Sequence, residues 1–164
     1  MTADVTIREI QDADWPRIFA LEAQEYAASA LSEARAALMS KARVAPSTCF
    51  VLNVGDEVAG YLLSLPYPLL RYPALSQPEQ VVHRSRNLHL HDLVIGAPFR
   101  GRGLATRLVH RLSSDARSDG YRWISLIAVA GSSAFWLTHG YRPRPEVDLP
   151  ENYGADAVYM SRLA

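Results

Sequence analysis

Over residues 5–10 valine and isoleucine alternate with polar side chains, the period of two expected of a strand with one buried face. Asp12 and Asp14 offer caps for a helix over Trp15–Tyr26, and Pro16 is tolerable in its first turn. Ser32 is placed to cap a second helix over residues 33–42, which turns Ala36, Ala37 and Leu38 toward a core before Pro46 closes it off. Residues 49–54 and 58–65 are rich in β-branched and apolar side chains and flank Gly55 and Asp56, the pattern of a hairpin.

The second half of the chain alternates strand and helix patterns. Residues 88–95 read as a strand, and Leu104, Leu108 and Leu112 recur at helical spacing in a helix over Leu104–Ser118 that Gly120 ends. Residues 123–129 are apolar almost throughout, as in a strand covered on both faces. A short helix over 132–139 comes next, capped by Ser132 or Ser133 and stopped by Gly140, and Tyr141 with residues 155–163 supplies closing strands. Between the halves, Pro66, Pro68, Pro73 and Pro78 forbid regular structure, while Tyr67, Leu69, Leu70, Tyr72 and Leu75 are too apolar for a loose linker. A long loop of this content walls a pocket or packs flat on a sheet, and the first is favoured. The whole predicts one mixed α/β domain over residues 1–164, a central sheet flanked by helices.

Composition narrows the functions such a domain can have. Its 164 residues suffice for a real core without staples, and a formal net charge of zero gives no electrostatic reason to bind nucleic acid. No apolar run approaches the length of a bilayer span, and the N-terminus has no signal-peptide pattern, so neither a membrane partner nor export is expected. One cysteine, Cys49, can form no internal disulfide, which agrees with a reducing cytoplasm. The charge is uneven, however. Residues 84–122 hold eight arginines against Asp92, Asp115 and Asp119, whereas acids dominate residues 4–33. A polyanion therefore suits the middle of the chain and a cationic or amine-bearing molecule its start, unless the acids merely solvate helix faces. Lys41 is the only lysine, and the preference for arginine reflects genome composition.

The stretch LHLHDLVIGAPFRGRGLA, residues 88–105, joins a strand, a glycine-bearing turn and a helix start. Gly101 and Gly103 admit backbone angles closed to other residues, the first amides of the helix point outward, and Arg100 and Arg102 add charge beside them. A diphosphate fits such a site. The run Arg100-Gly101-Arg102-Gly103-Leu104-Ala105 resembles the R/Q-x-x-G-x-G/A signature of the GCN5-related N-acetyltransferases. The segment 131–141, GSSAFWLTHGY, is similar to that family's second motif, a short helix with an aromatic pair before a Gly-Phe or Gly-Tyr, and His-Leu-His ahead of the first motif resembles the arylalkylamine N-acetyltransferase branch.

The resemblance implies acetyl-CoA as cofactor and a direct transfer to an amine. It implies that the main chain of Leu93, Val94 and Ile95 binds the pantetheine arm like an added strand, and that Arg100, Gly101, Arg102, Gly103, Leu104, Ala105 and Thr106 hold the pyrophosphate. Ser132 or Ser133 stands where many relatives carry a cofactor-contacting asparagine, and Phe135 and Trp136 are expected beside the cofactor. His89 and His91, two apart in a strand, are expected on one face together with Leu93, and either can serve as the base; Asp92, pointing away, is expected to be structural. Where many relatives place a tyrosine that protonates the leaving thiolate, this chain has Trp136, whose indole donates only. Tyr141, Tyr153 or Tyr159 must then reach the sulfur, or water does so. Tyr26, Tyr67 and Tyr72, with Trp136, are candidate walls of the acceptor pocket, and Glu22, Glu25 or Glu33 can attract an ammonium. The acceptor expected is a small amine, with an arylalkylamine as one candidate. Acetylation of a protein or peptide amino group and a non-catalytic acetyl-CoA sensor are the alternatives, and both monomer and homodimer stay open.

Overall fold

A computed structural model describes residues 2–27, 29 and 31–164. Its centre is a seven-stranded mixed sheet built from β1 (Val5–Glu9), β2 (Phe50–Val54), β3 (Glu57–Pro66), β4 (Asn87–Ile95), β5 (Trp123–Ala128), β6 (Arg142–Pro143) and β7 (Val158–Leu163), in the order β1-β2-β3-β4-β5-β7-β6. All neighbours are antiparallel except β4 and β5. Four helices cover it: α1 (Trp15–Tyr26), α2 (Arg35–Val44), α3 (Leu104–Ser118) and α4 (Ser133–Thr138).

The central strands bury both faces, which explains their near-continuous apolar sequence. On one face Phe50, Leu52, Leu62, Leu88 and Leu90 pack with Leu104, Leu108 and Leu112 of α3 and with Trp136 of α4. On the other, Val51, Tyr61, Leu63 and Val94 pack with Trp15, Ile18 and Leu21 of α1 and Leu38 of α2. Each fully buried aliphatic side chain of this kind stabilises the fold by about 1.5–3 kcal/mol.

Two helix starts lack the side-chain cap expected of them; Asp14 does stand at the N-cap of α1 but makes no cap bond, its carboxylate being engaged outside the helix. Ser32 does not cap α2, whose N-cap is Ala34 without a side-chain bond. Instead the Ser32 hydroxyl donates to Glu22 Oε2 (3.1 Å) and the Glu33 amide to Glu22 Oε1 (2.9 Å), so that Glu22 of α1 organises the turn between the helices. Asp14 likewise accepts the Gln11 amide (2.8 Å) at a 3-10 turn before α1 and pairs with Arg8 (2.7 Å), whose bond holds its carboxyl below the usual range.

Two irregularities interrupt β4. Opposite β3, Leu63 pairs with Asp92 but Ser64 pairs with Leu90, so His91 is an extra, bulged residue. Toward β5, pairing runs only from Asn87↔Trp123 to Leu90↔Leu126, although β4 continues to Ile95. Beyond Leu90 the parallel strands part, and the β5-facing edge of β4 is left open.

The loop between β3 and β4 is tied down at both ends of its span. Glu79 donates its amide to Ser40 Oγ (2.8 Å) on α2, the Tyr153 hydroxyl donates to the Pro73 carbonyl (2.8 Å), and the Leu70 amide donates to the Tyr159 hydroxyl (2.9 Å). Among the described residues no helix is long and apolar enough to cross a membrane.

Candidate active site

Where β4 and β5 part, a cleft of about 510 Å³ opens. Its floor is β4 from Leu90 to Ile95 and its far side is the end of β5 with Ser132, Phe135 and Trp136 of the α4 region. Tyr26 and Glu25 of α1, with Leu31 and Glu33, close the near side, and Leu75 and Tyr153 roof it. The Pro-rich loop therefore contributes to the cleft wall, through Leu75.

The anion site has the form its glycines predict. Gly101 and Gly103 take φ of +77° and +72°, and nothing stands within 4 Å of where a Cβ would project from either. Gly103 is the N-cap of α3 and supplies no side-chain acceptor, so the first amides of a 15-residue helix face open space. Arg100 lines the cleft, donating its Nε to the Ile95 carbonyl (3.2 Å) and pairing its guanidinium with Glu25 across the mouth. Arg102 instead lies over the Phe99 ring, 5.6 Å from its centroid. Leu104 is core, Ala105 lines the cleft, and the Thr106 hydroxyl sits 3.4 Å from His139 Nε2. A diphosphate fits these amides, and beyond Leu90 the β5-facing edge of β4 has no strand partner to keep an extended arm away.

The two histidines part company. His89 is buried among Tyr67, Tyr159 and Ser125, with Nδ1 2.9 Å from Ser125 Oγ, and does not line the cleft. Burial, aided by the charge on His91, drives its pKa down to about 3, so it is neutral at physiological pH. His91 lines the cleft, and its Nε2 is 2.6 Å from Glu33 Oε2. An ionised carboxylate only accepts, so the imidazole N–H donates, which leaves Nδ1 as the free nitrogen. Burial would raise the Glu33 carboxyl, but His91 and Lys41 together outweigh it and hold it below the ordinary value.

The bulge corrects two expectations about faces. Leu93 packs against the α3 core, on the face away from His91, whereas Asp92, expected to point away, reaches the α1 side; both border the cleft. Two side chains in succession point the same way because the extra residue breaks the alternation. Asp92 accepts the hydroxyls of Tyr26 (2.7 Å) and Tyr61 (2.5 Å), yet full burial dominates and raises its pKa to about 6.

The remaining candidates divide similarly. Tyr26 lines the cleft; Tyr67, packed edge-on against His83, and Tyr72, which donates to the Asp148 carbonyl (2.9 Å), do not. Ser132 lines it and Ser133 does not. Tyr141, expected as an acid, is fully buried in the core against Trp136, its hydroxyl unpartnered among the described residues and made less acidic by burial. Tyr153 lines the cleft with its hydroxyl committed to Pro73. Sequence reasoning missed Asp92, since a bulge leaves no mark in periodicity, whereas Leu75 belongs to the loop expected to wall a pocket. Among the described residues no group of three or more His, Cys, Asp or Glu could hold a metal ion.

Residues 6–141 match the Acetyltransferase (GNAT) family. The chain belongs to that family. Membership makes acetyl-CoA its cofactor, and the cradle of Gly101 and Gly103 beside the open β4 edge fits that molecule. Solved structures of the GNAT fold superpose along nearly the whole chain. Ard1 from Thermoplasma volcanium is 19% identical over 98% of this chain and 97% of that one, with a TM-score of 0.76. Arabidopsis thaliana Naa50, in complex with the bisubstrate analogue CoA-Ac-MVNAL, is 14% identical over 96% and 97%, with a TM-score of 0.72. N-acetylglutamate synthase from Neisseria gonorrhoeae, complexed with coenzyme A and N-acetyl-glutamate, is 17% identical over 99% of this chain and 36% of that one, with a TM-score of 0.72. No curated protein matches the chain by sequence. Nothing among these relatives singles out the arylalkylamine branch, so within the GNAT family the acceptor is a question for the cleft.

Proposed function

We propose that the protein is an acetyl-CoA-dependent N-acetyltransferase that transfers the acetyl group directly to a small amine, with His91 as the general base. One observation carries this reading: a cleft-lining imidazole, bonded through Nε2 to a buried carboxylate, beside the open edge of β4 where the family's cofactor arm belongs. Acetyl-CoA brings the acetyl group and the leaving thiolate. The chain's residues do the rest. Asp92, ionised above about pH 6, and Glu25 at the mouth draw an ammonium in, and Tyr26, Leu31 and Leu75 give its apolar part a wall. Nδ1 of His91 takes one proton from the ammonium, and the Glu33 carboxylate steadies the imidazolium that forms. The freed nitrogen lone pair bonds to the acetyl carbon, the carbon–sulfur bond breaks, the nitrogen's second proton goes to the thiolate through water, and His91 returns its proton to solvent.

A roofed cleft and a gathering of acids favour a compact amine over a peptide, which needs an open groove. The deciding experiment tracks free thiol release from acetyl-CoA against arylalkylamines, polyamines, aminoglycosides, amino acids and N-terminal peptides. Release with a small amine, abolished in His91→Gln, supports the proposal. Release with peptides alone moves the acceptor to a protein terminus, and tight acetyl-CoA binding with no release on any acceptor points to a sensor.

A further inference from the structure

Lys41 is wholly buried in α2, an unusual place for the only lysine of the chain. Its ammonium donates to Glu33 Oε1 at 2.7 Å and to the Ala74 carbonyl at 3.2 Å, with longer contacts of 3.5 Å to the carbonyls of Gln77 and Ala37. Ala74 and Gln77 flank Leu75, the loop residue that roofs the cleft. Glu33 uses its other oxygen for His91. The side chains of Lys41, Glu33 and His91 are 0%, 3% and 2% exposed, so the chain of contacts is dry throughout.

We propose that Lys41 is a positioning residue: its buried ammonium holds Glu33 against the imidazole of His91 and, with the same grip, seats the Pro-rich loop over the cleft. One side chain thus sets the orientation of the base and the closure of the acceptor site. The inference rests on the reading of His91 as the base. A buried carboxylate needs compensation, and a compact ammonium with three rotatable donors meets one carboxylate oxygen and the main-chain carbonyls around it in a way a planar guanidinium does not. The arrangement places a carboxylate and, behind it, an ammonium next to the imidazole of His91.

The acidic limb of the pH profile of kcat/KM, which falls as the base protonates, reads both charges. Glu33→Gln leaves the Lys41 cation alone beside His91, so the limb moves to lower pH; Lys41→Met leaves the Glu33 carboxylate alone, so it moves to higher pH. A buried charge this close shifts a neighbour by about one pH unit. Asp92 is itself raised by the Glu33 charge and would move with these variants, so the profiles are read in an Asp92→Asn background; His89 on β4, Tyr26 and Glu22 on α1 and Tyr153 over the cleft are present in every variant and do not account for opposite shifts. Lys41→Arg keeps the cation but fits the loop carbonyls poorly: its limb stays in place while KM for the amine rises several-fold. The experiment measures these profiles by thiol release with the best amine of the panel, beside His91→Gln. Opposite displacements in the two variants establish the assignment. Should Lys41→Met not fold, Glu33→Gln with Lys41→Arg decides it: a limb fixed in both, or moved upward in Glu33→Gln, overturns the assignment. A full rate in His91→Gln instead removes the base reading on which it rests, and that failure is seen before either variant is compared.

Discussion

Asp92 has a folded-state pKa of about 6 against an ordinary 3.8, so the fold itself should respond to its charge. Burial, the largest cause, opposes ionisation more than the Tyr26 and Tyr61 hydroxyls favour it. A carboxyl raised in this way binds its proton in the folded chain while the unfolded chain has already released it. Stability is therefore fully present below about pH 4 and falls as pH rises toward 6. Two pH units correspond to about 3 kcal/mol, and the group is fully buried, so little of this is lost to solvent screening. Asp92→Asn has no such titration, and its amide can still engage both tyrosine hydroxyls. The assay is urea unfolding monitored by tryptophan fluorescence from pH 4 to 7.5, with the difference between variant and parent plotted against pH. That difference should turn in the variant's favour by roughly 2–2.5 kcal/mol between pH 4 and 7, whatever its offset. Parallel curves would refute the reasoning, since they would show that Asp92 titrates alike in both states. The same substitution should raise KM for a cationic amine by tenfold or more while leaving acetyl-CoA binding unchanged.

Three further outcomes are expected. His89→Gln should keep the pH profile of the parent, because His89 stays neutral and outside the cleft, whereas His91→Gln should lose 10²-fold or more in rate, the ordinary loss of a general base; equal losses would refute the division. Gly103→Val should weaken acetyl-CoA binding at least tenfold by calorimetry, since φ of +72° suits no β-branched residue and the added bulk enters the space the helix amides face; unchanged affinity would remove the phosphate-cradle assignment. Leu108→Ala should destabilise the chain by about 2–5 kcal/mol in urea unfolding, because a fully buried leucine of the α3 core leaves a cavity.

Much of the architecture was legible in the chain. The bounds of α1 and α3 come from periodicity together with Pro16 and Gly120, and both strands of the β2–β3 hairpin come from the Gly55 turn between them. The turn of the proposed phosphate cradle was legible because positive φ leaves its mark as glycine at 101 and 103. Less of the site was. Period-two reasoning put His89, His91 and Leu93 on one face and Asp92 on the other, and a single bulged residue undid that along the floor of the cleft. A bulge depends on what the partner strand does, which no window of β4 records. Lys41 offered a faint signal, since one lysine among 17 basic residues invites the question why arginine would not do. Its partners Glu33, Ala74 and His91 are brought to it by tertiary contacts alone.

The parting of β4 from β5 gives this protein something that soluble folds usually keep off their surfaces: a bare sheet edge, here cut into the middle of the sheet. Unpaired main chain of that kind is a template for any extended segment, and a donor arm laid along it would complete the sheet. The donor is then a structural member as well as a reagent. At a hundred times its Kd it would add about 2.7 kcal/mol to stability by mass action. An acetyl-CoA arm bound in that way would hold the two parted strands together as a strand of the sheet itself.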